Sequence, residues 1–377
     1  MILSQEQTMI RDMARDFAAD KITPFTAAWE NDGAFPDAIL SEMGALGLLG
    51  MTVPEEWGGA ETDYVSYALA LMEIAGGDGG LSTLMSVNNS PVCSVVQNVG
   101  SDAQKEKYLK PLAQGQMIGA FCLTEPQAGS DASMLKTKAQ KDGNGYVIDG
   151  SKQFITSANI AGVAIVFAIT DPNAGKKGMS AFLVSTDTKG FKVANPEHKM
   201  GQKASDTCLI SFDNMKIDGD CLLGNEGEGY KIALSNLETG RIGIAAQSVG
   251  MARAALNYAI AYAGERVSFG KPIIEHQAVG FRLADMATKL EAAEALVLKA
   301  ANLKDHGLAC LKEASMAKLF ASEAAEEICS AALQTLGGYG YLSEYPIEKI
   351  VRDVRVCQIY EGTSDIQRLV IARTLKA

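Results

Sequence analysis

The stretch "IYEGTSDIQR" (359–368) sets Glu361 between Tyr360 and Gly362, directly ahead of a helix start. Apolar neighbours such as Ile359 and Tyr360 lift a carboxylate's pKa and make it a usable base near neutrality. The plainer reading is a solvated loop acid near the positive end of the last helix. "CLTEPQAGSDAS" (122–133) offers Gly129 and Ser130, whose backbone N–H groups and hydroxyl suit a phosphate or a polar ring edge, or else an ordinary loop. In "FITSAN" (154–159), Phe154 can stack on a planar ring and Thr156 can bond its edge, although an aromatic on a strand more often belongs to the core. Arg266 in "GERVSFGKP" suits either a helix C-terminus or a phosphate. Arg241 in "ETGRIG" lies mid-helix among small and apolar residues, so it reaches solvent or finds an anion. His276 and Gln277 read first as a solvated helix start, and the glycines of "LGGYGY" (336–341) as a helix end.

The elements that must position these residues fall into three blocks. Residues 1–118 read as helical. Ser4 with Gln7 makes a capping box, and Ser101 or Asp102 caps a helix stopped by Pro111 and Gly115. From 119 to 222 the pattern is β. A Gly/Asn/Asp turn precedes the alternating "YVIDGSKQFIT", "GVAIVFAIT" reads as a buried strand, "MSAFLVSTDTKGFKV" as a hairpin and "TCLISFDNMKI" as another strand. From 223 to 377 long Ala/Leu-rich helices with short links suggest an antiparallel bundle. A last helix starts at "TSDIQRLVIART", with Ser364 and Gln367 as a capping box. The fold class is therefore mainly α with a central, compact all-β domain.

Composition excludes several functions. The formal net charge of −11 argues against wrapping nucleic acid or sitting on an anionic membrane. No apolar run approaches the roughly 20 residues of a membrane span. The seven cysteines have no C-x-x-C spacing and only three histidines accompany them, so packed, reduced thiols are expected and no metal site. The acidic N-terminal helix is unlike a signal or organellar presequence, which points to the cytoplasm. There is no G-x-G-x-x-G and no P-loop. "AQSVG" lacks the first glycine of a nucleophile elbow and reads as mid-helix.

Together, "PEEWGG", "TEPQAGSD", "GERVSFG", "LGGYGY" and "IYEGTSDIQR", in this order and spacing, resemble the acyl-CoA dehydrogenase family over nearly the whole chain. Its helix–barrel–helix fold is the order read above. The resemblance implies a tightly bound FAD and a CoA thioester substrate. It implies that Phe121, Leu123, Thr124, Gly129 and Ser130, with Phe154, Ile155 and Thr156, line the flavin. Arg266, Ser268, Phe269 and Gln277 would reach the flavin of a neighbouring subunit. Gln334, Leu336, Gly337 and Gly338, with Thr363 and Asp365, would hold the adenosine portion. Ser130, Glu238, Arg241, Tyr360 and Gly362 would face the substrate, and Glu361 would be the base. In one branch of the family the base stands on the long helix, at the position of Gly240, which has no side chain to serve. Flavin binding across subunits implies a homotetramer, a dimer of dimers. "LMSVNNSPV" and "LETGRIGIAAQSVG" look most like the short-chain (butyryl-CoA) members. An electron-transferring flavoprotein is the implied acceptor. The alternatives on this fold are an oxygen-dependent acyl-CoA oxidase and a non-catalytic flavin or acyl-CoA scaffold. Phe154, Gln127 and Ser268 depart from the family's commoner tryptophan, glycine and threonine.

Overall fold

A computed structural model describes residues 1–375. The N-terminal block is helical, as expected. Helix α1 (Gln5–Phe17) begins with the reciprocal Ser4–Gln7 capping box. A second such box, Ser101 with Gln104, starts a short helix at Asp102. Helices α2 (Tyr64–Gly77) and α3 (Gly79–Val87) meet at Asp78, whose carboxylate accepts from the Leu81 N–H and so caps α3. Both are buried nearly all round, and their few polar side chains, such as Ser82 and Thr83, are enclosed with them.

The middle block is one mixed sheet of eight strands: β1 (Gly119–Cys122), β2 (Lys138–Asp142), β3 (Gly145–Thr156), β4 (Val163–Ile169), β5 (Met179–Ser185), β6 (Phe191–Val193), β7 (Thr207–Ile217) and β8 (Leu222–Leu223). The hydrogen-bonded order is β6-β7-β3-β2-β4-β5-β8, and β1 adds in parallel to β4. β2 and β3 pair antiparallel across the expected Gly/Asn/Asp turn. β4 is buried on both faces. Val163, Ile165 and Phe167 pack against Val92, Val95 and Leu112 of the helical block, while Ala164, Val166 and Ala168 pack with Ile148, Phe182 and Ile210 inside the sheet. Double burial explains a continuous apolar run in place of alternation. The expected hairpin in "MSAFLVSTDTKGFKV" does not form. β5 pairs β4 and β8, whereas β6 crosses to pair β7 with Phe191 opposite Phe212. Two strands joined by a short link looked like a hairpin, but the apolar ring of Phe191 found its partner on β7, where the two rings pack edge to face at 5.6 Å.

The C-terminal block holds α4 (Gly229–Glu265), α5 (Gln277–Asp305) and α6 (Leu311–Leu336), of 37, 29 and 26 residues. α7 (Pro346–Val354), with proline at its first position, is additional to the helices expected. α8 (Ser364–Thr374) closes the chain. α4 packs on α2, α5 and α6 at once. That position explains its small, apolar middle, where Ile242, Ile244, Ala245, Ala246 and Val249 are all buried. A polar side chain on this segment of α4 is therefore enclosed. No helix among the described residues is long and apolar enough to cross a membrane.

Candidate active site

The turn between α7 and α8 presents Glu361. Its backbone is left-handed, with φ 53°, and Gly362 follows at φ 90°. A non-glycine residue held there is strained, and such strain persists only where surrounding contacts enforce it. The contacts are visible. Gln367, fully buried on α8, turns back and donates from Nε2 to the carbonyls of Glu361 (3.3 Å) and Gly362 (2.9 Å). Lys318 of α6, also fully buried, donates from Nζ to the Gly362 carbonyl at 2.9 Å. The expected Ser364–Gln367 capping box is thus replaced. Thr363 is the N-cap, its Oγ1 accepting from the Ile366 N–H at 3.3 Å, and Gln367 serves the turn instead.

The Glu361 carboxylate leans on α4. A Cβ placed on Gly240 would stand 1.9 Å from Oε2. The absent side chain at 240 makes room for the acid presented from 361. Burial pushes the carboxyl up, the cations of Arg241 and Lys318 pull it partly back, and it settles at about 7. A carboxylate with that value exchanges a proton near neutrality. It is not the solvated loop acid of the plainer reading.

Arg241 is only 5% exposed. Nη1 donates to Ser315 Oγ at 3.3 Å, and Nε has no partner among the described residues. Glu238, one turn before it, is engaged elsewhere. Its Oε1 accepts from the Cys310 N–H at 3.1 Å and from the Cys310 thiol at 2.7 Å, at the start of α6. A buried guanidinium with an unpartnered N–H suits a polar or anionic ligand. Tyr360 turns its hydroxyl inward. The hydroxyl donates to Gln247 Oε1 and lies 3.4 Å from Thr83 Oγ1. Its ring alone is left for a substrate.

On the β domain, the 122–133 loop and the end of β3 are joined by buried chemistry. Lys152, with no exposed surface, pairs with Glu125 at 2.8 Å and also donates to the Leu123 carbonyl at 3.1 Å. Glu125 further accepts from the N–H groups of Lys136 (2.6 Å) and Thr137 (3.0 Å) and from Gln127 Nε2 (2.7 Å). Burial pushes Glu125 up, but the Lys152 charge and these donors outweigh it and hold the carboxyl down at about 2. Thr124 accepts at its carbonyl from the Gln153 N–H at 2.9 Å. This framework leaves Gly129 and Ser130 exposed at the loop tip. Phe154 is not a core aromatic. It is 64% exposed, with a left-handed φ of 59°, at a break in the β3–β7 register. Ile155 is buried inside the sheet, while Thr156 is partly accessible. Phe121 packs edge-on against Phe167, and Leu123 lies partly buried beside it.

A third group lies on the C-terminal block. Arg266 and Ser268 line a cavity of about 420 Å³ together with Leu336, Gly337 and Gly338. The Arg266 guanidinium stands 5.8 Å from the Tyr339 ring. Gln334 faces a second cavity, of about 810 Å³, beside Arg282 and Lys289. Phe269 is 95% exposed on the tip of a short hairpin, and Gln277 is exposed at the first position of α5. His276 caps the hairpin side, with Nε2 3.0 Å from the Ser268 carbonyl. Asp365 is exposed.

These surfaces fit FAD. A solvent-facing aromatic in a strained backbone suits a planar ring. Exposed loop donors and an arginine-lined cavity suit the pyrophosphate, and an added Cβ on Gly337 or Gly338 would meet no atom within 4 Å, which leaves space at the cavity rim. The residues of this site that the sequence did not single out are Lys318, Gln247 and the Glu125–Lys152 pair, and Gln367 stood out only as part of a cap. The available signal was polar residues on buried faces: Lys318 stands between Ala314, Ala317 and Ala321, all enclosed.

Comparison with known proteins follows the same division. Residues 4–116, 120–215 and 227–376 match the N-terminal, middle and C-terminal domains of acyl-CoA dehydrogenase. The short-chain specific acyl-CoA dehydrogenase of Homo sapiens mitochondria is 46% identical over 370 residues, covering 98% of this chain and 90% of that one. The butyryl-CoA dehydrogenase of Megasphaera elsdenii superposes with a TM-score of 0.97 at 40% identity over 100% of both chains. A chain from structural work on the electron transferring flavoprotein of Acidaminococcus fermentans and flavin-based electron bifurcation superposes with a TM-score of 0.98 at 42% identity, covering 100% of this chain and 99% of that one.

Proposed function

The chain belongs to the acyl-CoA dehydrogenase family and is a FAD-dependent oxidoreductase, and from that premise we propose that it converts a short straight or short branched acyl-CoA to the trans-2-enoyl-CoA with Glu361 as the base. The observation that carries this reading is the half-buried Glu361, presented from a left-handed turn with its carboxylate lodged against the bare backbone of Gly240, where desolvation pushes it up to about 7. A proton α to a thioester is weakly acidic, so its base must be desolvated and fixed close to it. Gln367 and Lys318 fix the turn. The Glu361 backbone N–H, with a ribityl hydroxyl that bound FAD would supply, would meet the negative charge that develops on the thioester oxygen, and Arg241 would face the CoA side of the substrate. FAD, when bound, supplies the acceptor for the β-hydrogen. Phe154, Thr156 and the loop from Phe121 to Ser130 would hold its ring system. Arg266, Ser268, Phe269 and Gln277 would reach the flavin of a neighbouring subunit, and Gln334, Leu336, Gly337, Gly338, Thr363 and Asp365 its adenosine end.

Short-chain preference is supported by the Homo sapiens and Megasphaera elsdenii relatives. The Acidaminococcus fermentans likeness supports an electron-transferring flavoprotein as acceptor. A homotetramer is supported by Phe269, 95% exposed, and Phe281, 65% exposed, which a second copy would cover. Seven unpaired cysteines support a reducing, cytoplasmic setting. Domain limits of 1–118, 119–222 and 223–377 accompany the proposal.

Anaerobic titration with straight acyl-CoAs from butyryl to octanoyl and with isobutyryl-CoA should bleach the flavin most completely at the short end. Fast reoxidation in air would identify an oxidase instead, and no bleaching with any of them would identify a scaffold. Gly240→Ala should fold and bind FAD, because the atom it meets is the free end of a side chain. It should nonetheless lower kcat/KM by roughly a hundredfold, since a displaced base loses its attack geometry.

A further inference from the structure

We infer that Lys318 is a positioning residue for this reaction: from α6 it fixes the turn that carries Glu361 and supplies the positive field in which that carboxylate works. The inference rests on Glu361 being the base. Lys318 has no exposed surface, and its Nζ makes one hydrogen bond, to the Gly362 carbonyl at 2.9 Å. Among the described residues it has no ion pair. A buried ammonium without a counter-ion destabilises a fold. As a tether it is partly redundant, because Gln367 already donates to the same carbonyl at 2.9 Å. Its neighbours Ala314, Ala317 and Ala321 would accept an unbranched apolar side chain of the same length. Packing therefore does not explain the charge.

The carboxylate beside it does. The titratable and charged groups around Glu361 are Arg241 of α4 with Glu238 beyond it, Lys318 of α6 with Glu323 beyond it, Tyr67 of α2, and the Cys357 thiol behind Lys318. Burial brings Lys318 down to about 8. It stays largely protonated where Glu361 titrates, at about 7. Two enclosed cations thus face one enclosed carboxylate. That balance favours the ionised base before reaction. When the proton moves from the acyl α-carbon to Glu361, the C–H bonding pair moves toward the thioester carbonyl and the carboxyl beside the two cations becomes neutral. Lys318 itself transfers no proton.

The test compares the FAD-loaded wild type with Lys318→Met and Lys318→Arg. In Lys318→Met the acid limb of kcat/KM should move up by about one pH unit. Activity should fall about tenfold at about pH 6 and approach wild type at about pH 9. Lys318→Arg should return the limb towards wild type. FAD content should be unchanged and Tm equal or higher, because a lone buried charge has gone. A second readout needs no turnover. The infrared band of the protonated Glu361 carboxyl, identified by its loss in Glu361→Gln, should persist to higher pH in Lys318→Met. A limb and band that stay in place, with or without a lowered Tm, would make Lys318 a structural lysine and overturn the inference. Should Lys318→Met fail to fold, Lys318→Gln keeps a donor for Gly362, and the same two readouts decide. If Glu361→Gln remains active, the base assignment fails and the inference goes with it. If that variant is dead and the Lys318 limb is unmoved, only the inference fails.

Discussion

Glu361→Gln should lower kcat by a factor of about 10² to 10⁴, the range a positioned general base contributes, while FAD content and fold survive. The amide is nearly isosteric, so the close contact with Gly240 is kept. The loss is therefore chemical. In the wild type, kcat/KM should rise with pH through about 7, because the base works only when ionised and burial holds its proton to that value. The variant's residual rate should lack this limb. Stability should move the other way. A carboxyl whose folded pKa lies above its unfolded value stabilises the fold below the unfolded pKa and loses that contribution as pH rises through the folded one. Ionised Glu361 therefore weighs against the fold above neutrality, by on the order of 2–3 kcal/mol. Glu361→Gln should melt higher than the wild type at alkaline pH and much as the wild type does in acid. A gain in stability with loss of activity marks a group held for function.

Lys152→Met should destabilise the β domain by about 3–5 kcal/mol, the usual consequence of leaving one member of a buried pair charged and alone. Glu125 keeps three other donors, from Lys136, Thr137 and Gln127, which places the expectation toward the lower end. The two partners shift in a way that matters. Burial draws Lys152 below the ordinary lysine value, whereas Glu125 is held at about 2. The Lys152 charge and its hydrogen bond do most to hold the Glu125 carboxyl down, and the Thr137 and Lys136 donors add to them. With its folded value depressed, Glu125 contributes fully above the unfolded carboxyl pKa, and the contribution is lost as pH falls from about 4.5 through about 2. The 122–133 loop hangs on this pair, so FAD affinity should fall in Lys152→Met along with the denaturant midpoint. Adding Glu125→Gln should recover part of the stability, because the stranded charge is removed. A double variant no more stable than Lys152→Met would contradict this account of the pair.

Much of the molecule was legible in the sequence because the signals were local. Caps such as Ser4 and Ser101 act over three residues. The alternation of "YVIDGSKQFIT" and the length of the C-terminal helices report faces that solvent and core enforce. Long-range partners were not legible. β6 left β5 for β7 because ring packing across the sheet decides between pairings of similar backbone quality. Gln367 satisfied the Glu361 turn in place of a cap, since two carbonyls beside a left-handed residue needed donors. Phe154 looked like core because its strand alternates, but the break in register at Lys152/Ile155 turns its ring outward. Lys318 carried no motif; its meaning comes from α6 meeting the turn after α7. Glu361 stood out through its neighbours and its register with distant motifs. Its contact with Gly240, 121 positions earlier in the chain, belongs to the fold alone.

The most direct measurement of the central claim is anaerobic rapid mixing of the FAD-loaded protein with butyryl-CoA, with the flavin absorbance followed in wild type and Glu361→Gln. The account predicts rapid bleaching in the wild type, faster above pH 7 than below it, and in Glu361→Gln an oxidised flavin that stays unbleached on the same timescale although butyryl-CoA binds. Bleaching of Glu361→Gln at the wild-type rate would contradict it, because the α-proton would then be leaving by way of some other base.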